Sequence, residues 1–250
     1  MFTHRPIYIL FIFAFIFTLS ILYTIFLFSP SQKNKIAEKL FLNHNYNKSA
    51  LFILNFSNTN KNTTYYTYFL KGRIYFVEGK LYESVQNYST SISMNPDHKE
   101  AYYGRGLAYG FIGGQFLEKG EEDFKKYIEI DGEDFNKSGR HAYGAWAAYN
   151  DLAWIYFLKN DFTNQEEIAR KGLDFSSGNP WLLNSLGVSL LAQDKCHEAM
   201  NYFSDAKKLI EETNISEFGE AYSGDRKEFW SNGLHAMKNT IVDNLETCKK

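Results

Sequence analysis

Signatures of chemistry are what this chain has least of. Its 250 residues carry no nucleophile elbow, no metal-binding helix motif and no dinucleotide fingerprint, and the six histidines are scattered. The glycine pair in Phe111–Gln115 (FIGGQ) has no Lys-Ser/Thr after it and no strand before it, which excludes a phosphate loop. Charge of either sign is not in excess: 27 Lys and Arg against 29 Asp and Glu leave −2, too little imbalance for a nucleic-acid binder that neutralises phosphates. Proline is scarce, four in the whole chain, and the apolar periods are long and helical, so an all-β fold is excluded. No catalytic residue, metal site or cofactor emerges, and the chain is not expected to be an enzyme.

Cysteine is nearly absent as well. Cys196 and Cys248 are too few for a disulfide scaffold and have no zinc-site spacing. Two readings stay open: a pair of idle thiols, or one disulfide between the last repeat and a C-terminal helix, which requires an oxidising compartment. Asn-X-Ser/Thr acceptors at Asn47, Asn55, Asn62, Asn87, Asn136 and Asn214 are what an Asn-rich chain produces by accident.

One long apolar run is present. After a short flank (1–6), residues 7–28 read IYILFIFAFIFTLSILYTIFLF, and about 22 residues at ~1.5 Å rise span a ~30 Å hydrocarbon core. The run is longer than a signal-peptide core, and no small-x-small cleavage site follows Phe28. It reads as an uncleaved transmembrane anchor. No lipobox cysteine supports a lipid anchor. Both flanks are basic, with His4 and Arg5 before and Lys33, Lys35 and Lys39 after, so charge leaves the orientation open. The possible Cys196–Cys248 bridge tilts the expectation toward an extracytoplasmic (periplasmic or luminal) domain.

The rest of the chain is organised around residues 65–98. Tyr68, Gly72 and Tyr75 share one side of a first helical period, Gly79 breaks it, and Ser84, Tyr88 and Ser91 mark a second helix that ends before Pro96. Small residues let two helices approach, and aromatics fill the space beside them. The pattern restarts at 99–134 with Tyr102, Gly106 and Tyr109, then Gly120, Phe124 and Tyr127, with two extra residues at the turn. A Gly-, Asp-, Asn- and Ser-rich stretch from Asp131, with its core at 135–145, is expected to be an insert loop, and His141 within it a solvated residue. Further copies follow at 146–179 (Tyr149, Leu152, Ala153, Tyr156; Ala169, Gly172, Leu173) and 180–213 (Leu183, Leu186, Gly187, Leu190; Ala199, Phe203, Ala206). A degenerate unit occupies 31–63, with Ile36, Ala37 and Leu40, then Ala50, Ile53, Leu54 and Phe56. Residues 225–249 form an amphipathic helix with Phe229, Trp230, Leu234, Met237, Ile241 and Leu245 on its apolar side, suited to capping the last repeat.

Helix–turn–helix units of about 34 residues with aromatic and small residues in this order resemble the tetratricopeptide repeat (TPR) family. Ser84 and Gln165 depart from the family's alanine, and Pro96 is the only proline in its expected place. The resemblance implies an all-α, right-handed superhelical solenoid whose concave face, lined by the first helix of each pair, holds a peptide or protein segment. Projected onto that face are Tyr66, Phe69, Arg73 and Phe76, then Tyr103 and Phe111, then Asn150, Trp154 and Phe157, then Trp181, Asn184 and Leu191. Asn150 and Asn184 hold equivalent places, and a ladder of amides can pair with an extended backbone whatever its side chains. The groove lacks the repeated Lys and Asn of the family's carboxylate-clamp members; it is aromatic, which favours apolar or aromatic anchors in the partner.

The expected function is therefore that of a membrane-anchored TPR adaptor with a protein or peptide partner. The alternatives are an obligate structural subunit, its aromatic surface covered by a partner or by another copy of the chain, and an accessory subunit of an enzyme.

Overall fold

A computed structural model describes residues 27–42, 47–57, 63–138, 145–216 and 230–248, with residues 15, 18, 19 and 23 before them; side chains at 56, 57, 133–138 and 230 fall outside the description. Helices α1 (Pro30–Leu42) and α2 (Asn47–Ser57) form the first pair. Pairs α3 (Tyr65–Val77) and α4 (Leu81–Met94), α5 (Lys99–Ile112) and α6 (Leu117–Ser138), α7 (Trp146–Leu158) and α8 (Phe162–Phe175), and α9 (Pro180–Leu191) and α10 (Cys196–Glu212) follow. Helix α11 (Trp230–Thr247) closes the chain. Among the described residues there is no strand.

The turns inside the last four pairs each place a residue at positive φ, and the one between α5 and α6 runs on through a 3-10 turn, Gly114–Phe116. Gly79 (φ 73°), Gly113 (φ 74°), Asn160 (φ 56°) and Asp194 (φ 60°) stand at equivalent places in the left-handed region. Glycine reaches that region without a Cβ clash, and Asn and Asp tolerate it better than other residues. Helix starts are capped from the sequence. Asn179 Oδ1 accepts from the N–H groups of Trp181 (3.0 Å) and Leu182 (3.1 Å) ahead of Pro180 at the first helical position. Asp161 caps α8 through the N–H of Asn164 (3.2 Å). Ser29 and Gln32 cap α1 reciprocally: the N–H of Ser29 donates to Gln32 Oε1 (2.8 Å) and the N–H of Gln32 to Ser29 Oγ (3.3 Å). That capping box separates α1 from the apolar run before it.

Packing follows the small–aromatic pattern. Tyr88 of α4 lies 3% exposed against Gly72 of α3 and Gly104 of α5, where any side chain would meet its ring. Ala37, Ala101, Ala108, Ala148, Ala153, Ala169, Ala199 and Ala206 are almost wholly buried along the same seams. Each first helix packs on its own second helix and also touches the next first helix, α1 on α3, α3 on α5, α5 on α7 and α7 on α9. Second helices have no comparable contact with one another, so the stack closes up on the first-helix side. That side is the inner, concave face.

One expectation needs adjusting. The stretch from Asp131 is not a loop at its start: α6 continues to Ser138, so residues 135–138 of the expected insert are helical. Just before these turns Tyr127, Ile130 and Asp131 are buried, with Asp131 accepting from Lys99 Nζ at 3.0 Å. Residues 139–144, with His141, lie outside the described residues, as do 217–229 and with them Phe229. The expected anchor, residues 7–28, also lies mostly outside them; among the described residues no helix is long and apolar enough to cross a membrane.

Candidate functional site

The concave face is a row of clasps between successive first helices. Between α1 and α3, Thr67 Oγ1 donates to Asn34 Oδ1 (2.9 Å), and Tyr66 OH donates to Glu38 Oε1 (2.7 Å). Arg73 lies 3.7 Å from Glu38, with its guanidinium over the rings of Phe41 (5.0 Å) and Phe69 (5.7 Å). Burial, then the Glu38 hydrogen bond, holds the Tyr66 phenol well above the ordinary tyrosine range. Between α5 and α7, Tyr103 OH donates to Asp151 Oδ2 (2.5 Å). Between α7 and α9, Ser185 Oγ donates to Asn150 Oδ1 (2.9 Å) and Trp146 packs on Trp181 (5.1 Å). Between α9 and α11, Asn244 Nδ2 donates to Asn184 Oδ1 (2.9 Å).

These contacts sort the sequence-derived candidates. Phe69 and Trp181 are each 8% exposed and belong to the core. Phe69 is roofed by His98, ring to ring at 4.6 Å, from the loop between two repeats. Tyr66, Arg73 and Tyr103 are half-buried, with their polar ends engaged by α1 or α7. Leu191 is half-buried against the cluster of Leu186, Leu190 and Phe203. Asn150 and Asn184 do occupy equivalent places, but both carbonyl oxygens already accept hydrogen bonds inside the solenoid. The side-chain amides join helix to helix, and a peptide backbone would have to displace Ser185 and Asn244 to use those oxygens.

What remains open is aromatic. Phe111 is 61% exposed, flanked by Phe76 at 5.5 Å and Trp154 at 5.2 Å between ring centroids. Phe157, 42% exposed, continues the surface toward Phe162 at 6.4 Å. The strip crosses three successive first helices, α3, α5 and α7. Gly110 makes it possible: a Cβ there would run into the Trp154 ring, so only glycine lets α7 place its indole beside Phe111. Glu38, Asp151, Ser185, Asn244 and His98 were not legible as parts of this face. Asp151 is adjacent to Asn150, and Asn244 interrupts the apolar side of α11 between Ile241 and Leu245, which are the available signals.

Among the described residues no group of three or more His, Cys, Asp or Glu side chains is placed to hold a metal ion. Cys196 and Cys248 are joined by a disulfide, Cα to Cα 5.5 Å, linking the start of α10 to the residue after α11.

Residues 72–113 match the family model of the TPR repeat. No curated protein matches the chain. Among solved structures, the type IV pilus biogenesis factor PilW is 12% identical, covers 88% of this chain and 98% of its own, and superposes with a TM-score of 0.59. MamA from MSR-1 is 14% identical over 72% of this chain and 94% of its own, with a TM-score of 0.58. A thermophilic TPR protein of Thermus thermophilus, TTC0263, is 13% identical over 78% and 98%, with a TM-score of 0.50. The described solenoid thus shares the fold of TPR proteins.

Proposed function

We propose that this chain is a membrane-anchored protein-interaction adaptor that holds a peptide or protein segment on its concave face, with the strip of Phe76, Phe111, Trp154 and Phe157 as the contact surface. The observation that carries the reading is Phe111, a phenylalanine left 61% exposed while wedged between two other rings from neighbouring repeats. Aromatic rings fixed by neighbours lose little freedom when a partner docks, so they make effective anchors. Catalysis has no place in this reading. Anchoring rests on the apolar run at 7–28, and an extracytoplasmic position for the solenoid on the Cys196–Cys248 bridge.

A photo-crosslinking amino acid placed at Phe111 or Phe157 in cells, and at Lys171 on the exposed side of α8 as control, tests the groove. The expected result is one discrete adduct shared by the two groove positions and absent at Lys171. Adducts of the same pattern at all three positions, or none in the groove, would refute the strip as the contact surface.

A further inference from the structure

Helix α11 covers apolar residues of the last pair, α9 and α10. Leu234 and Ile241 join Trp181, Leu183, Ala206 and Ile210 in one buried cluster, Leu245 joins Ala169, Leu186 and Phe203 in the next, and Asn244 occupies Asn184. The hold is one-sided. Helix α11 lies against α10 and the edge of α9, with no further helix outside it among the described residues. Its exposed side carries Ser231, His235, Asn239, Val242 and Glu246. Seventeen residues separate it from the end of α10, so the disulfide is the covalent tie at its far end.

We propose that the Cys196–Cys248 disulfide is a redox latch: oxidised, it keeps α11 closed over the last repeat; reduced, it lets α11 leave and uncovers Trp181, Leu183, Ala206, Ile210 and the amide of Asn184. Both cysteines are half-buried, so a small dithiol can reach them. Cys196 is the first residue of α10, where unpaired backbone N–H groups favour a departing thiolate. The dithiol's thiolate attacks Sγ of Cys248 and expels Cys196, forming a mixed disulfide. The reductant's second thiol then displaces Cys248 and leaves as a cyclic disulfide. Two electrons and two protons pass to the cysteines. The latch rests on the contacts of α11 and not on the aromatic strip, so either can fail without the other.

Hydrogen exchange of the full chain, read on peptides spanning 230–248, tests it in the oxidised protein, after reduction with dithiothreitol and thiol capping, and in the Cys196→Ser/Cys248→Ser variant. Reduction should speed exchange in 230–248 about tenfold or more while α3 to α9 stay protected, since opening is confined to one terminal unit. The double variant should behave as the reduced protein and ignore dithiothreitol. Reducing protein that has already folded keeps the test decisive if the variant does not fold. Equal exchange in both redox states would overturn the latch, because apolar contacts alone would then hold α11. Loss of protection throughout α3 to α9 would overturn it too, making the bridge a staple for the whole solenoid. So would two free thiols in the protein before any reductant is added.

Discussion

Substituting Gly72 with alanine puts the packing rule of this solenoid to a signed test. Gly72 lies inside α3, and a Cβ there would stand 2.7 Å from Cδ1 and Cε1 of Tyr88, whose ring is 3% exposed and also pressed against Gly104. The ring has nowhere to move. Overpacking of this kind costs ~1–3 kcal/mol. Against it, alanine is favoured over glycine in a helix interior by about 0.8–1.0 kcal/mol. The net expectation for Gly72→Ala is a loss of about 1 kcal/mol, a fall in Tm of roughly 2–4 °C for a chain of this size. Replacing Tyr88 with alanine removes every obstructing atom, the Cγ at 2.9 Å included. In that background the same Gly72→Ala change should stabilise, by up to about 1 kcal/mol, because only helix propensity remains. Urea melts of the four proteins, followed by far-ultraviolet circular dichroism, give the cycle. An increase in stability on Gly72→Ala in the native background, or an equal loss in both backgrounds, would refute the idea that glycine is there to admit the ring.

Arg105→Leu should cost about 3–5 kcal/mol near neutral pH, because it strands Asp123, 4% exposed, which now takes bidentate bonds from Arg105 Nε (2.8 Å) and Nη2 (2.7 Å). Burial already raises the Asp123 carboxyl above its ordinary range while Arg105 pulls it down, so losing Arg105 raises it further. The folded variant then holds a proton that the unfolded chain has released; its stability should fall as pH rises through that window, and melts at acid pH should show the smaller deficit. For the membrane assignment, carbonate-washed membranes should retain the chain, and an impermeant maleimide should label intact cells only after external reduction. Labelling that needs lysis but no reductant would place the solenoid in a reducing compartment and remove the support for an extracytoplasmic side.

The helix pairs were legible because their signal is local. An aromatic, a glycine and an aromatic within eight residues, such as Tyr68, Gly72 and Tyr75, specify one helix face, and the turn residue Gly79 ends it. The end of α6 was not legible, since Gly132, Asp134 and Asn136 are poor helix formers and the contact of Lys99 with Asp131 just before them comes from another element. Arg105 sits where Leu152 and Leu186 sit in later repeats. Nothing local to Arg105 announces that Asp123, eighteen residues on, will bind it. The groove candidates differ in exposure for one reason. Helical projection says which way a residue faces but not how near the next first helix comes. Phe69 and Trp181 point to the groove side and are buried by His98 and by the cluster that α11 completes, whereas Phe111 faces the same side and stays open.

That difference bears on how the face would work. If binding ran along the whole row of first helices, a partner would have to break Tyr66–Glu38, Tyr103–Asp151, Ser185–Asn150 and Asn244–Asn184 in turn. Each half-buried bond given up leaves a polar group to be satisfied again, at roughly 1–3 kcal/mol if it is not. The aromatic strip asks for none of this. Its rings are already ordered by contacts of 5.2–5.5 Å from one to the next, so a docking side chain would cover Phe111 and Phe157 without displacing a hydrogen bond. Desolvating rings that are already fixed avoids most of the ordering cost that limits binding by mobile side chains. The strip that the clasps leave uncovered is therefore where contact with a partner would cost least.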